Sequence, residues 1–298
     1  MKKIALLFLI TLSLIYSTIA QPKVTAEKIG DRIDFKVNGN LFTSYIFSEN
    51  EKYPFFYPVN GPSKASVTSM RNANYPHHSS LFFGCDKVNG GNYWQEGLER
   101  GQIVSYRAEI IETGGTKAVI ENECIWTRPG ADAPIADKRI ITISAPSEGK
   151  FQIDFEITME MLQEVTIDKN NHSLFSVRID PDLAVTNGGT MVNAEGETGE
   201  KETFGKSSAW MDYYGRRMGK TEGIAIMQHP ENEWYPAPWF TRDYGFMSPT
   251  PIYWPANDKN IVLNKGEKIN LRYRVLVHEG DQKQAGIAEE FDKFKSEK

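Results

Sequence analysis

The chain has 298 residues and a formal net charge of −5, and its basic residues are scattered along the sequence. Nucleic-acid binding needs a concentrated basic face, so composition and charge argue against this class of function. About 12% of the residues are aromatic, including six Trp and thirteen Tyr. Such flat side chains with a polar group suit a carbohydrate ligand, but they serve equally well in packing.

The first twenty residues have the pattern of a secretory signal. Met1 and two lysines give a basic start, residues 4–16 are apolar, and small residues lead to a predicted cleavage site after Ala20. The apolar run is shorter than a membrane span needs, and a retained anchor is the alternative. No later segment is apolar enough to cross a bilayer. We therefore expect a periplasmic or secreted protein without stable membrane insertion.

The mature chain alternates apolar and polar residues at the period of a β-strand. Ile33, Phe35 and Val37 begin this alternation before a turn at residues 38–40. Long alternating segments joined by polar turns predict antiparallel sheets packed as a sandwich. Further strands are predicted at residues 103–111, 118–126, 139–144, 151–158, 174–179, 208–213, 223–228 and 268–278.

One helix is predicted, at the C-terminus, where Ile287, Phe291 and Phe294 recur at helical spacing after a potential cap at Asp281. No internal repeat or linker marks a domain boundary. The sequence thus predicts a single all-β domain over residues 21–298, a large antiparallel β-sandwich of the supersandwich type with a short C-terminal helix.

The two cysteines, Cys85 and Cys124, leave two possibilities open. In an exported protein they could form one disulfide, or they could be two buried free thiols. Two cysteines at this spacing do not make a zinc site.

The densest group of chemically active residues follows a proline. His77 and His78 are two of only five histidines, and Tyr75-Pro76 before them favours extended backbone. Neighbouring side chains on a strand point to opposite faces, so one imidazole can face a cleft while the other supports it. Imidazole suits acid–base work, although ordinary polar loop residues are the alternative. Candidates for substrate binding nearby are Arg71, Asn89 and Trp94.

Two later segments add candidates. Asp212 lies among aromatic residues, where burial would raise its carboxyl pKa and let it act as an acid or base. The alternative is a structural carboxylate that pairs with a nearby backbone group or arginine. Residues 228–245 combine His229 with three prolines, which stiffen a loop. Arg242 could bind a carboxylate, and Tyr244 could transfer a proton if Arg242 lowers its pKa. Further candidates for substrate binding are Trp210, Asn232 and Trp239.

A metal site is the alternative use of these groups. His77 or His78 with His229 and Asp212 could hold Zn, Fe or Mn. However, the chain lacks any tight metal-binding spacing, so we predict no cofactor, with a divalent metal as the alternative.

These segments together resemble the exported bacterial family that carries the label "methane oxygenase PmoA family", over nearly the whole mature chain. The residues that carry the resemblance are Pro76–His78, Leu81–Gly84, Asp86–Gly90, Trp94, Trp210–Tyr213, Gly215, Gly223–Ile226, His229–Asn232, Pro238, Trp239, Arg242, Tyr244, Gly245 and Pro249. The methane monooxygenase subunit of that name is a transmembrane copper protein, whereas this chain has no membrane span after its signal. The resemblance implies a galactose-mutarotase-like β-sandwich that handles carbohydrate in a polysaccharide-degrading bacterium.

The chain departs from that family's pattern at one point. Members similar to it have His-Pro-His-His, often with Arg two residues further on, whereas Tyr75 and Ser79 stand at these positions here. If the first His of the pattern is a ligand or base, its role is lost in this chain or has passed to Tyr75.

The favoured interpretation is an exported lyase or dehydratase that works by proton abstraction and elimination on an oligosaccharide bearing a carboxylate or ketone. The predicted roles are His77 or His78 as base or acid with His229 as partner, Arg242 on the carboxylate, Tyr244 as second proton donor, Asp212 as orienting group and Trp239 as stacking platform. Alternatives are a glycoside hydrolase using two of Asp212, Glu231 and Glu233, a mutarotase-like epimerase, and a non-catalytic carbohydrate-binding protein.

Overall fold

The computed structural model of the protein describes residues 21–95, 97–251 and 260–297. The predicted secretory signal lies outside these residues. Within them, no helix combines the length and the apolar character that a membrane crossing requires.

Strands dominate the structure. They are β1 (Val24–Ile29), β2 (Arg32–Val37), β3 (Asn40–Ile46), β4 (Phe55–Val59), β5 (Met70–Asn72), β6 (Tyr75–Ser79), β7 (Leu81–Val88), β8 (Gly91–Tyr93), β9 (Gln102–Glu112), β10 (Lys117–Thr127), β11 (Ile135–Ser147), β12 (Lys150–Met161), β13 (Val165–Ile167), β14 (Leu174–Arg178), β15 (Thr190–Asn193), β16 (Trp210–Arg217), β17 (Lys220–Gln228), β18 (Trp239–Arg242), β19 (Phe246–Pro249), β20 (Ile261–Leu263) and β21 (Lys268–Glu279). The helices are α1 (Gly199–Thr203) and α2 (Ile287–Phe294), with single 3-10 turns at Leu98–Arg100, Pro181–Leu183 and Val185–Asn187.

Two large antiparallel sheets form the sandwich. One follows the order β1-β2-β3-β4-β7-β14-β19-β18, with β8, β13 and β20 attached at its side, and the other follows β15-β16-β17-β21-β12-β11-β10-β9. Strands β5 and β6 form a separate two-stranded hairpin. The predicted all-β sandwich with a short C-terminal helix is confirmed.

Side-chain alternation determines which face of the second sheet each residue occupies. Met211 and Tyr213 of β16 join the core between the sheets, whereas Trp210 lies on the opposite face with Ile287 and Phe294 of α2. Since residues two apart share a face, Asp212 lies on the α2 side with Trp210. This sheet is therefore covered on both faces around β16.

The two cysteines are free and buried, and they belong to different sheets. Cys85 lies in β7, where Ser173 Oγ donates a hydrogen bond to its sulfur at 3.1 Å. Cys124 lies in β10, 3.1 Å from Asn122 Oδ1. Burial raises the pKa of the Cys85 thiol to about 12, which keeps it protonated at neutral pH.

Candidate active site

The β5–β6 hairpin carries the histidine pair and lies near β4 and β14 of the first sheet. Tyr53 Oη donates a hydrogen bond to the backbone oxygen of His77 at 2.9 Å, and Arg71 forms an ion pair with Glu51. As predicted for extended backbone, the two neighbouring side chains differ in environment. His77 is half-buried and His78 is 2% exposed.

A cleft of about 180 Å³ opens beside the hairpin. His77 lines it together with Trp94, and the charged side chains of Glu51, Lys52 and Arg71 line it as well. Lys52 Nζ donates a hydrogen bond to Gly97 O at 2.8 Å. The cleft thus combines an imidazole, an indole edge and two cationic side chains.

Trp94 is the centre of a cluster of imidazole rings. Its ring centroid lies 5.2 Å from that of His77, 5.7 Å from that of His78 and 4.4 Å from that of His172. Its Nε1 donates a hydrogen bond to Ser176 Oγ at 3.3 Å. Three of the five histidines therefore meet on one buried indole.

A second layer lies against His78. Tyr75 stacks on the imidazole of His78 at 5.0 Å and on the ring of Tyr244 at 4.5 Å. The Arg178 guanidinium lies over both tyrosine rings, 5.1 Å from Tyr75 and 4.7 Å from Tyr244. Phe246 closes the other side of His78 at 4.4 Å.

Buried polar atoms without partners are concentrated here. In the described part of the chain, eight buried side-chain nitrogen or oxygen atoms have no hydrogen-bond partner, and four of them belong to His78, His172 and Arg178. His172 Nε2 has Asp86 Oδ2 at 3.5 Å, which is too long for a good hydrogen bond. Unsatisfied buried groups cost free energy, so such a concentration is typical of a site that a ligand or water completes.

Burial sets the protonation states of this layer. It lowers the pKa of His78 to about 2, with smaller contributions from the charges of His77, Arg178 and His172. His78 is therefore a neutral imidazole at physiological pH. Burial and the neighbouring Tyr75 raise the pKa of Tyr244, which outweighs the opposing effect of Arg242. The sequence predicts that Arg242 lowers the pKa of Tyr244. In this geometry the pKa of Tyr244 is raised instead, and Tyr244 stays protonated.

Asp212 lies elsewhere, on the α2 side of the second sheet. Its Oδ1 is 2.9 Å from His278 Nε2, and both side chains are fully buried. His278 of β21 reaches Asp212 of β16 across β17, at Gly223. A Cβ on Gly223 would lie 2.9 Å from His278 Cε1, so the absent side chain leaves room for this pair. Asp212 thus pairs with His278 and does not orient His77.

His229 and Asn232 hold the C-terminal segment and β21. His229 Nε2 lies 3.1 Å from Glu297 O and 3.1 Å from Arg272 Nη1. Burial, followed by the Arg272 charge, lowers the pKa of His229. Asn232 exchanges two hydrogen bonds with the Arg272 backbone, at 2.7 and 3.0 Å. These contacts assign both residues to the structure of the loop.

The remaining candidates have structural partners as well. Arg242 Nη1 donates to Glu200 Oε1 at 2.9 Å, and its guanidinium lies over Phe204 and Phe240. Trp239 is fully buried and donates to Ser208 O at 2.9 Å, so it offers no stacking surface. Trp210 packs beneath α2, and Asn89 forms the turn between β7 and β8, where its Oδ1 accepts from Thr166 N at 2.7 Å.

The structure therefore brings together His77, His78, Trp94, Tyr244 and, at the cleft edge, Arg71. Sequence reasoning missed His172 and Arg178. One signal for Arg178 was available, a cationic residue at the end of the otherwise uncharged segment Leu174–Arg178. Among the residues that the structure describes, no three or more His, Cys, Asp or Glu side chains are grouped to hold a metal ion.

A family model described as "Family of unknown function (DUF6807)" matches residues 32–292. The chain belongs to this family. Its description does not include the PmoA label, so that resemblance stays a prediction. No curated protein matches the chain.

Solved structures similar to this DUF6807 chain have low sequence identity. A protein titled polysaccharide lyase shares 14% identity over 88% of this chain and 33% of its own, with a TM-score of 0.35. A GalM/aldose epimerase homologue from C. elegans shares 8% over 87% of this chain and 99% of its own, with a TM-score of 0.37. A putative kojibiose phosphorylase from the human microbiome shares 10% over 93% and 37%, with a TM-score of 0.39. The chain thus spans about a third of the lyase and the phosphorylase.

The neutral His78 makes the stability of this DUF6807 chain sensitive to acid. An unfolded histidine takes up a proton near pH 6.5, whereas folded His78 does so near pH 2. Between these values the unfolded state binds one more proton, so stability falls as the pH falls below 6.5. From pH 7 to pH 5 this single group removes about 2 kcal/mol.

When the pH falls from 7 to 5, the free energy of unfolding falls in both proteins. We expect this fall to be about 2 kcal/mol smaller in the His78→Gln variant than in the parent protein. Urea unfolding of both proteins at both pH values measures this difference. An equal loss in the two proteins would contradict the buried neutral state of His78. The comparison cancels the contributions of the titratable groups that the two proteins share.

Proposed function

We propose that this protein is an exported carbohydrate-processing enzyme that moves protons to and from an oligosaccharide in the cleft beside His77 and Trp94. The observation that carries this proposal is the position of one half-buried imidazole on the cleft wall, backed by the cluster of His78, His172 and Arg178 with unpartnered polar atoms. Packing alone does not account for so many unsatisfied groups in one place. The predicted secretory signal supports a location in the periplasm or outside the cell.

Elimination is the reaction class that these groups fit best. His77 removes a proton from the carbon next to a carbonyl or carboxylate of the sugar, and the charge that develops there faces the cationic Arg71 and Lys52. The bond to the leaving oxygen then breaks, a carbon–carbon double bond forms, and the oxygen takes up a proton. Tyr244, which burial keeps protonated, does not line the cleft, so the leaving oxygen takes its proton from solvent in this proposal.

The alternative functions have fewer of the residues that they require in this cleft. Glycoside hydrolysis needs two carboxylates about the scissile bond. Of the described residues that line the cleft, Glu51 alone carries a carboxylate, and Arg71 pairs with it. A binding module that relies on aromatic platforms needs exposed rings, whereas Trp94, Trp210 and Trp239 are all buried.

Mass spectrometry of oligosaccharides incubated with the mature protein tests the proposal. A panel of acidic and neutral oligosaccharides, with and without a chelator, is expected to give cleavage without uptake of water, or loss of one water, from at least one member. Cleavage with gain of water would replace the lyase by a hydrolase. No mass change together with measurable binding would overturn elimination in favour of a binding protein or of an epimerase, whose product has the mass of its substrate. An effect of the chelator would contradict a metal-free reaction.

A further inference from the structure

We propose that Arg178 forms the subsite for the carboxylate of a uronic acid unit. The inference rests on the proposed function and names its substrate class. It begins from Arg178 itself, which is 4% exposed and whose Nε and Nη1 have no acceptor among the described residues. An isolated buried cation is costly, and a carboxylate from a ligand would remove that cost.

No carboxylate of the described residues forms an ion pair with the Arg178 guanidinium. Asp180, two residues further along the chain, lies 3.5 Å from Arg217, and Asp243 accepts a hydrogen bond from Glu200 N at 2.7 Å. The groups that face the guanidinium are instead the rings of Tyr75 and Tyr244. Arg178 therefore keeps its charge and its donors available for an anion.

The backbone holds Arg178 in place before any ligand binds. Its N–H donates to Ser80 O at 2.7 Å, and its oxygen accepts from Ser69 N at 3.0 Å. One of its two aromatic neighbours, Tyr75, belongs to the β5–β6 hairpin, which forms no ladder with either large sheet in the described part of the chain. The Tyr75 side chain is half-buried, so the cover over Arg178 is at the surface. Arg178 does not line the cleft beside His77, so a ligand reaches the guanidinium only when the rings of Tyr75 and Tyr244 move aside.

The proposed reaction selects a carboxylate rather than another anion. A carboxylate on the sugar ring makes the neighbouring C–H bond acidic, which proton removal by His77 requires, and a sulfate ester does not. His78 adds a neutral ring whose Nδ1 has no partner among the described residues, and this atom can contact a hydroxyl of the same sugar. Arg178 and His78 are close enough for the Arg178 charge to affect the imidazole.

A matched pair of ligands tests the subsite without relying on a variant. An oligogalacturonide and its methyl ester differ in the charge and in one methyl group at each carboxyl, and titration calorimetry of the parent protein is expected to give at least about tenfold tighter binding of the acid. In Arg178→Gln the two ligands are expected to bind equally. Arg242→Gln, which removes a guanidinium held by Glu200, is expected to keep the full preference.

Each result decides the assignment. Equal binding of acid and ester by the parent protein, no binding of either, or a preference that survives in Arg178→Gln would overturn it. Failure of the proposed function gives a different result. In that case the parent protein and His77→Gln both bind the acid selectively, but the parent protein leaves the mass of every sugar unchanged. If Arg178→Gln fails to fold, the ligand pair on the parent protein still decides between a carboxylate subsite and none.

Discussion

His77→Gln is expected to lower the turnover number by about 10²–10⁴-fold, because the variant keeps a polar side chain of similar reach but cannot exchange a proton. Among the predicted catalytic residues, His77 is the one that lines the cleft. The fold should remain, since Gln keeps the backbone oxygen that accepts the hydrogen bond from Tyr53. The rate of product formation on the responsive oligosaccharide measures the change, and circular dichroism checks the fold.

His229→Gln is the matched comparison. The sequence predicts His229 as the partner of His77 or His78, whereas the structure places its ring against Glu297 and Arg272. We expect this variant to lose stability of about 1 kcal/mol from the broken hydrogen bond and to keep its turnover number. A loss of turnover in His229→Gln equal to that in His77→Gln would return His229 to the active site and contradict the structural assignment.

The fold could be read from the sequence because its signal is local. Strands β10 and β11 alternate over most of their length, and this period alone predicts a half-buried strand. The pairing order of the strands has no such local signal. It depends on contacts such as Phe82 with Ser176, which join β7 to β14 across 94 positions of sequence.

The candidate site was predictable only where it is contiguous in sequence. His77, His78 and Trp94 belong to one segment, so their proximity followed from the chain itself. Arg178 and His172 arrive from β14 and the loop before it, through the pairing with β7. Periodicity indicates that a residue is buried, but it does not say which face covers it. For that reason Asp212 looked like a member of the site and lies instead beneath α2.

The second large effect concerns the core, where Asp137 and Arg139 of β11 form a fully buried ion pair. Arg139 Nε and Nη2 donate to the two carboxylate oxygens of Asp137 at 2.7 and 3.1 Å, and Trp126 Nε1 donates to the same carboxylate at 2.7 Å. The rings of Phe83 and Phe155 lie 5.7 and 5.8 Å from the guanidinium. Water cannot replace a lost partner in these surroundings.

Asp137→Ala is therefore expected to lower the free energy of unfolding by about 3–5 kcal/mol, because it leaves the Arg139 charge buried without its counterion. The double variant Asp137→Ala with Arg139→Met removes both charges and should recover part of that loss, which shows that the unpaired cation causes it. Glu160→Gln, which breaks the exposed pair with Lys268, should change stability by no more than about 1 kcal/mol. Urea unfolding compares the parent protein with Asp137→Ala, Arg139→Met, the double variant and Glu160→Gln. A double variant as unstable as the sum of its single variants would mean that the two side chains stabilise the core independently, and that the sandwich tolerates an isolated guanidinium between its sheets.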